Sequence, residues 1–313
     1  MHSFSPKLQR ARPLLGTLTS ISLYNNDSGH LLALQEAFQR IEHLHRLMSF
    51  HDRNSDLGRL NQTAWKTPVT VHPDTWSVLA KAQYWAEQSA GAFDISTAST
   101  LQQWGLLPNH STDTPANGSR SLVKGHGNYR HIVLLPDYRV YFRRPLTIDL
   151  GGIAKGYAVD VAADFLEQQG ITDYLINAGG DLRIGAHPES IHIRHPGNPQ
   201  QYVVLPECAH TAIATSASYF SQKFSQGRTV HALVNPFTQE PCDAHLSISV
   251  CNARCTDADA LTKIIAVLGE RTLPILQKTA ASAYCLAENG QQFQLNALHD
   301  TNNCSTPGLS PCD

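Results

Sequence analysis

The sequence predicts an α+β fold, and three observations carry that reading. Some segments alternate apolar and polar residues with a period of two, others repeat apolar residues every three or four positions, and glycine-centred turn signals separate short strand-like runs. The 313 residues are 42% hydrophobic and 16% charged. A chain of that size buries roughly 75% of its unfolded surface and needs no disulfide or metal to fold.

Residues 14–24, LLGTLTSISLY, alternate as a strand. Leu31, Leu34, Phe38, Ile41, Leu44 and Met48 then form the stripe of an amphipathic helix over 30–50, and HDRNSDLGRLNQ after it reads as a loop with a short helical turn. A second helix runs from Pro73 to Ser89 and ends at Gly91. The stretch 105–128, rich in Pro, Asn, Ser, Thr and Gly, is predicted to be a surface loop. Strands follow at HIVLLP and YRVYF, and TIDLGGIAKGYAVDVAADFLEQQG passes from a β-rich run through a double glycine into a helix. YLINAGGDLRIGA is two strands joined at Gly179–Gly180, with further strands at TAIATS, VHALVN and LSISV. A helix over Asp257–Leu268 and a hairpin turning at Asn289–Gly290 complete the pattern; 301–313 reads as a loose tail.

Composition excludes several function classes. No window approaches the ~20 apolar residues of a membrane span. With 24 basic and 26 acidic side chains, the formal net charge of -2 offers no general attraction for nucleic acid or an anionic membrane. The seven cysteines show no CxxC spacing and read as packed or surface thiols, and none of the sixteen histidines forms an HExxH pattern. No apolar signal stretch follows the basic N-terminus, so the expected compartment is the cytoplasm, or the periplasm if the N-terminus was trimmed.

Three clusters could carry chemistry. In Asp149-Leu-Gly-Gly-Ile-Ala-Lys-Gly156, glycines at 151, 152 and 156 bare backbone N–H groups at a strand–helix junction, where a phosphate can bind and Lys155 can add charge. The plain alternative is a tight connection, and the spacing is neither a P-loop nor GxGxxG. In Thr256-Asp-Ala-Asp259-Ala-Leu-Thr262-Lys263, Thr256 reads as an N-cap and Asp259 with Lys263 as an i,i+4 ion pair; alternatively Asp259 holds a hard divalent cation against phosphates. GAFD (91–94), NAGGD (177–181) and ATSA (214–217) place small residues beside a polar one at strand ends.

The order of these blocks along the chain resembles the ApbE family of FAD:protein FMN transferases, from Leu14-Leu-Gly-Thr17 to Gly269. That resemblance implies a two-part T-fold-like core with a flavin cleft between its halves. It also implies one composite domain over 1–300, FAD as substrate and Mg²⁺ as cofactor. The implied reaction moves FMN onto a Thr or Ser hydroxyl of a partner flavoprotein of a redox complex and releases AMP. Carried over by position, Leu15 and His51 flank the flavin ring, Ala92, Phe93 and Asp94 line the flavin or adenine side, and Gly151, Lys155 and Tyr157 lie near the pyrophosphate and ribityl chain. The Ala154 carbonyl and Asp259 are metal ligands, joined by position 262 or 263; Thr215 and Ser216 lie near the transfer site; His231 is catalytic and Leu233 contacts the flavin.

The departures from the family pattern are specific. Lys263 stands where the family has Thr, with Thr262 one place earlier; an ammonium there can occupy the cation's place, weaken its binding, or swing outward and leave Thr262 to coordinate. Asn235 replaces an acidic residue, Gln239 a glycine, and Ala217 a glycine, which adds a methyl. Two other readings therefore stand beside transfer: an FAD-binding carrier or assembly factor with little activity, and a hydrolase giving FMN and AMP.

Overall fold

The computed structural model describes residues 8–24, 29–109, 127–218, 222–225 and 227–296. The tail at 301–313, most of the 105–128 loop, and Cys304 and Cys312 lie outside the described residues. The chain opens with β1 (Leu8–Leu14), β2 (Thr17–Leu23), α1 (His30–Met48), α2 (Asp56–Thr63), β3 (Val69–Thr70), α3 (Pro73–Gln88) and α4 (Ala98–Gln103). Next come β4 (Ile132–Leu135), β5 (Arg139–Phe142), α5 (Ala154–Gln168), β6 (Tyr174–Ala178), β7 (Asp181–Ile184), β8 (Glu189–His195), β9 (Asn198–Cys208) and β10 (Thr211–Ala217). Then follow β11 (Lys223–Ser225), β12 (Arg228–Val230), β13 (Val234–Asn235), β14 (Glu240–Pro241), β15 (Leu246–Asn252), α6 (Cys255–Leu268), α7 (Leu273–Lys278), β16 (Ser282–Ala287) and β17 (Gln292–Leu295). The architecture is α+β, as the patterning predicts, and no helix among the described residues is long and apolar enough to cross a membrane.

The chain divides into two compact units, each assembled from separated segments. The first comprises Met1–His45, Ile153–Phe220 and Asp243–Asp313. Its centre is an antiparallel sheet of eight strands in the order β1-β2-β6-β7-β10-β15-β16-β17. Helices α5 and α6 pack together and against β7 and β10. On the other face Leu182, Ile184, Ile213, Tyr284 and Leu286 bury apolar surface against Ile191 and Ile193 of the β8–β9 hairpin. Because side chains alternate along a strand, Ile213 and Thr215 belong to this second face while Ala214 and Ser216 belong to the helix face.

The second unit comprises Arg46–Gly152 and Ser221–Cys242. It holds α2, α3, α4, a small sheet ordered β3-β5-β4, and the ribbons β11–β12 and β13–β14. Leu101 of α4 and Trp104 just after it pack with Val230 of β12 in one of its apolar clusters.

Several elements differ from expectation for local reasons. Residues 14–24 are not one strand, because Leu15 and Gly16 adopt φ of 57° and 73° and turn the chain between β1 and β2; positive φ at both central residues is what a two-residue I′ turn requires. The HDRNSDLGRLNQ segment contains a full helix, α2, whose first turn is held by Ser55 Oγ accepting from Gly58 N–H at 2.8 Å. TIDL is extended without sheet partners: Ile148 exchanges two hydrogen bonds with the Asn61 amide, at 2.8 and 2.9 Å, and Asp149 N–H donates to Ile95 O at 2.8 Å. VHALVN splits into β12 and β13 around His231. The five described cysteines are free thiols, buried or half-buried.

Candidate functional site

The first unit builds its site where α5 and α6 begin. Gly156, in the first turn of α5, lies so close to the start of α6 that a Cβ there would meet Cys255 O at 2.4 Å. Only glycine allows this approach, and its N–H faces Asp259 Oδ2 at 3.4 Å. Asp160, one turn later, is fully buried and accepts the N–H groups of Cys255 and Thr256 at 3.0 and 2.9 Å and the Thr256 hydroxyl at 2.6 Å. The cap of α6 is therefore a carboxylate from α5. Thr256 lies inside the helix, which starts at Cys255, and is not its N-cap. Arg254 flanks the junction with a bidentate pair to Asp164, at 2.6 and 2.7 Å.

This crossing sets four charges together. Lys155 Nζ lies 2.7 Å from Asp181 Oδ2 and 3.5 Å from Asp259 Oδ2. Lys263 Nζ contacts Asp259 Oδ1 directly, one turn along α6. The carboxylates are enclosed, at 1% and 0% exposure for Asp181 and Asp259, while the lysine side chains keep 24% and 21% for Lys155 and Lys263. The formal charges cancel, and the two lysine side chains are partly exposed where the carboxylates are enclosed. Burial pushes the Asp181 carboxyl up to about 6, helped by the like charge of Asp259. Burial works the same way on Asp259, but the two lysines outweigh it and hold that carboxyl below the usual range. Lys155, desolvated yet flanked by both carboxylates, is held above the usual ammonium range.

A directed hydrogen-bond chain supports Lys263. The Thr262 hydroxyl donates to the Asp259 carbonyl at 2.7 Å, because a carbonyl can only accept. The 2.7 Å contact between Thr262 and Ser216 is then donated by Ser216, and Lys263 Nζ donates to Ser216 Oγ at 2.8 Å. Both hydroxyl protons are committed, and Ser216 and Thr262 are buried.

Of the residues expected at the site, the structure brings together Lys155, Asp259, Thr262 and Lys263, with Ala154 opening the same turn of α5. Thr215 is not among them. It lies on the opposite face of the sheet, where its hydroxyl pairs with Ser249 at 2.8 Å, and Ser216 takes the place beside the charges. Ala217 lies in regular strand opposite Ser247, so its methyl costs no backbone strain. Tyr157 is half-buried in the first turn of α5. Leu15 sits in the β1–β2 turn and donates its N–H to His45 Nδ1 at 3.2 Å. Asp181 was visible in NAGGD only as a turn residue; its partnership with Lys155 depends on tertiary packing.

The second unit holds the remaining candidates. His51 is exposed, whereas Ala92 and Phe93 are buried. Asp94 accepts backbone N–H groups from Ser96 and Tyr129 at 2.8 and 2.9 Å, one per oxygen, and so fixes the GAFD turn. Gly151 N–H donates to Asp149 at 3.0 Å. His231 is fully buried: Nδ1 accepts the Leu233 N–H at 3.3 Å, which leaves Nε2–H to donate to Cys242 O at 3.0 Å. Both ring nitrogens thus tie a loop together, which argues against the catalytic role expected for it. Gln239 adopts a φ of 59°, where glycine is favoured, while its N–H donates to Asn235 O at 2.8 Å.

A divalent cation on Ala154, Asp259 and Thr262 does not fit this donor set. Both Asp259 oxygens face ammonium groups, and the Thr262 hydroxyl is held in the chain to Ser216 and the backbone. A dication beside two ammoniums would meet strong repulsion at this depth.

Comparison with known proteins gives one consistent picture. The model of the ApbE family matches residues 15–286. A Vibrio cholerae FAD:protein FMN transferase is 28% identical over 268 residues, 82% of this chain and 80% of that protein. The FAD:protein FMN transferase of Escherichia coli K12 is 24% identical over 294 residues, covering 90% and 84%. Among solved structures, the ApbE protein of Thermotoga maritima superposes with a TM-score of 0.78 at 25% identity, covering 92% of this chain and 97% of that one. The flavin transferase ApbE of Vibrio cholerae gives 0.75 at 25% identity, covering 92% and 96%.

Proposed function

Because the chain belongs to the ApbE family, we propose that it is an FAD:protein FMN transferase acting on a partner flavoprotein. The hydroxyl oxygen of an acceptor Thr or Ser attacks the FMN phosphorus, and the bond from that phosphorus to the bridging oxygen breaks. AMP leaves with the bridging oxygen, the hydroxyl proton passes to solvent, and FMN stays on the acceptor as a phosphodiester. Such a transfer depends on positioning and on neutralising charge at the phosphates.

The observation that carries this reading is the pair of ammonium groups, Lys155 and Lys263, held by the enclosed Asp181 and Asp259 on partly exposed side chains. Fixed cations facing a phosphate cost no reorganisation when charge develops on the leaving group. The carboxylates hold the ammoniums in place, and Ser216 orients Lys263. The flavin contacts implied for Leu15, His51, Ala92, Phe93, Asp94, Gly151, Tyr157 and Leu233 belong to the same proposal; the backbone of 92–94, fixed by Asp94, is the part suited to meet a flat ring.

The test is to incubate the purified chain with FAD and an acceptor flavoprotein domain and to measure covalent FMN by intact mass together with AMP release. Adduct and AMP in equal amounts are expected. Bound FAD with neither product would overturn the transferase reading in favour of a carrier, and AMP without adduct would assign water as the acceptor.

A further inference from the structure

We infer that in this chain the Lys263 ammonium holds the charge-neutralising position at the pyrophosphate that a divalent cation would otherwise take, so that FMN transfer proceeds without a bound metal. The inference rests on the transferase reading above.

Asp259 has no exposed surface, and one oxygen contacts Lys263 while the other faces Lys155 at 3.5 Å and Gly156 N–H at 3.4 Å. A cation would have to expel an ammonium that its own helix holds one turn away. That ammonium needs no capture from solution, so its local concentration is fixed by the fold. An ammonium carries three N–H groups. Two are spent on Asp259 Oδ1 and Ser216 Oγ, and among the described residues the third has no partner, on a side chain that keeps 21% of its surface exposed. One donor is therefore left unspent on a partly exposed, positively charged side chain. The hydroxyl chain from Ser216 through Thr262 to the Asp259 carbonyl fixes this arrangement and leaves Thr262 no freedom to turn its oxygen towards a metal. During transfer the Lys263 ammonium offsets the charge gained by the departing AMP phosphate, and the acceptor proton goes to solvent.

The test uses the full chain with FAD, Mn²⁺ as the metal probe read by electron paramagnetic resonance, and FMN transfer measured in EDTA or in Mg²⁺. The wild type is expected to leave the free Mn²⁺ signal unchanged and to transfer FMN at the same rate in both media. Lys263→Thr is expected to bind Mn²⁺ about tenfold tighter or more, once the competing charge is gone, and to need Mg²⁺ for transfer. Lys263→Arg, which keeps the charge, should stay silent towards Mn²⁺. Wild-type binding of Mn²⁺ that Asp259→Asn abolishes, or wild-type transfer lost in EDTA and restored by Mg²⁺, would overturn the inference while leaving the transferase reading intact. Absence of adduct and AMP in every medium would overturn the transferase reading, and the wild-type Mn²⁺ measurement would still decide which cation Asp259 holds. That measurement requires no variant to fold.

Discussion

Asp160 on α5 and Asp259 on α6 lie at the same helix crossing and are equally enclosed, yet their surroundings differ in kind. Asp160 receives two backbone N–H groups and a hydroxyl, all belonging to the first turn of α6, with Arg254 Nε at 3.4 Å. Those donors cannot leave without unwinding the helix. Asp259 is paired chiefly with the ends of two long side chains that keep a quarter or less of their surface in solvent. Depth therefore does not separate a structural carboxylate from a functional one, but the identity of its donors does. Backbone donors make a fastener, whereas lysine donors make a charged cluster on partly exposed side chains.

The strongest way to break this contrast is to delete both carboxylates in turn. Asp160→Ala leaves two buried N–H groups and the Thr256 hydroxyl without their acceptor, and a loss of about 3–5 kcal/mol is expected from urea denaturation. Asp259→Asn frees Lys263, which can extend into water, and leaves Lys155 on Asp181, so its stability loss should stay at about 1 kcal/mol. FMN transfer should instead fall by about 100-fold. If Asp259→Asn proved the more destabilising of the two, the distinction between fastener and functional pair would fail.

A smaller effect is expected at Gly156. Gly156→Ala places a methyl against the Cys255 carbonyl and forces α5 away from α6, at a cost of about 1–3 kcal/mol in denaturant melts. The same displacement moves Lys155 relative to Asp259, so transfer should fall by more than the stability change alone implies. A variant with full stability and full transfer would show that this close approach does not position the site.

Much of this was legible along the chain. The amphipathic stripe of α1, the double glycine between β6 and β7, and the Asn289–Gly290 hairpin are local patterns, and the i,i+4 placement of Asp259 and Lys263 follows from helix geometry alone. What stayed hidden depends on contacts distant in sequence. Thr215 and Ser216 differ by one residue, and only the register of β10 decides which of them faces α6. Thr256 has the chemistry of an N-cap, but Asp160 arrives from another helix and does that work. His231 has the chemistry of a catalyst until Leu233 and Cys242 engage its two nitrogens.

The pH response offers the finest separation. Asp181 has its folded-state value raised to about 6 by burial and by the neighbouring Asp259 charge, so the folded chain holds a proton that the unfolded chain has released. Its contribution thus favours folding in acid and is lost as pH rises from about 4 to about 6. Asp259 is shifted the other way, so its contribution is present above the ordinary carboxylate range and lost as pH falls through its lowered value. Side-chain carboxyl NMR should then show Asp181 titrating well above Asp259, and Asp181→Asn should remove the stability decline over that window. Lys155→Met should raise the Asp181 midpoint further, since the ammonium 2.7 Å away favours the charged form. Equal midpoints for the two carboxylates would mean that the lysines are shared evenly between them, and Asp259 would lose its standing as the residue that anchors the charged cluster.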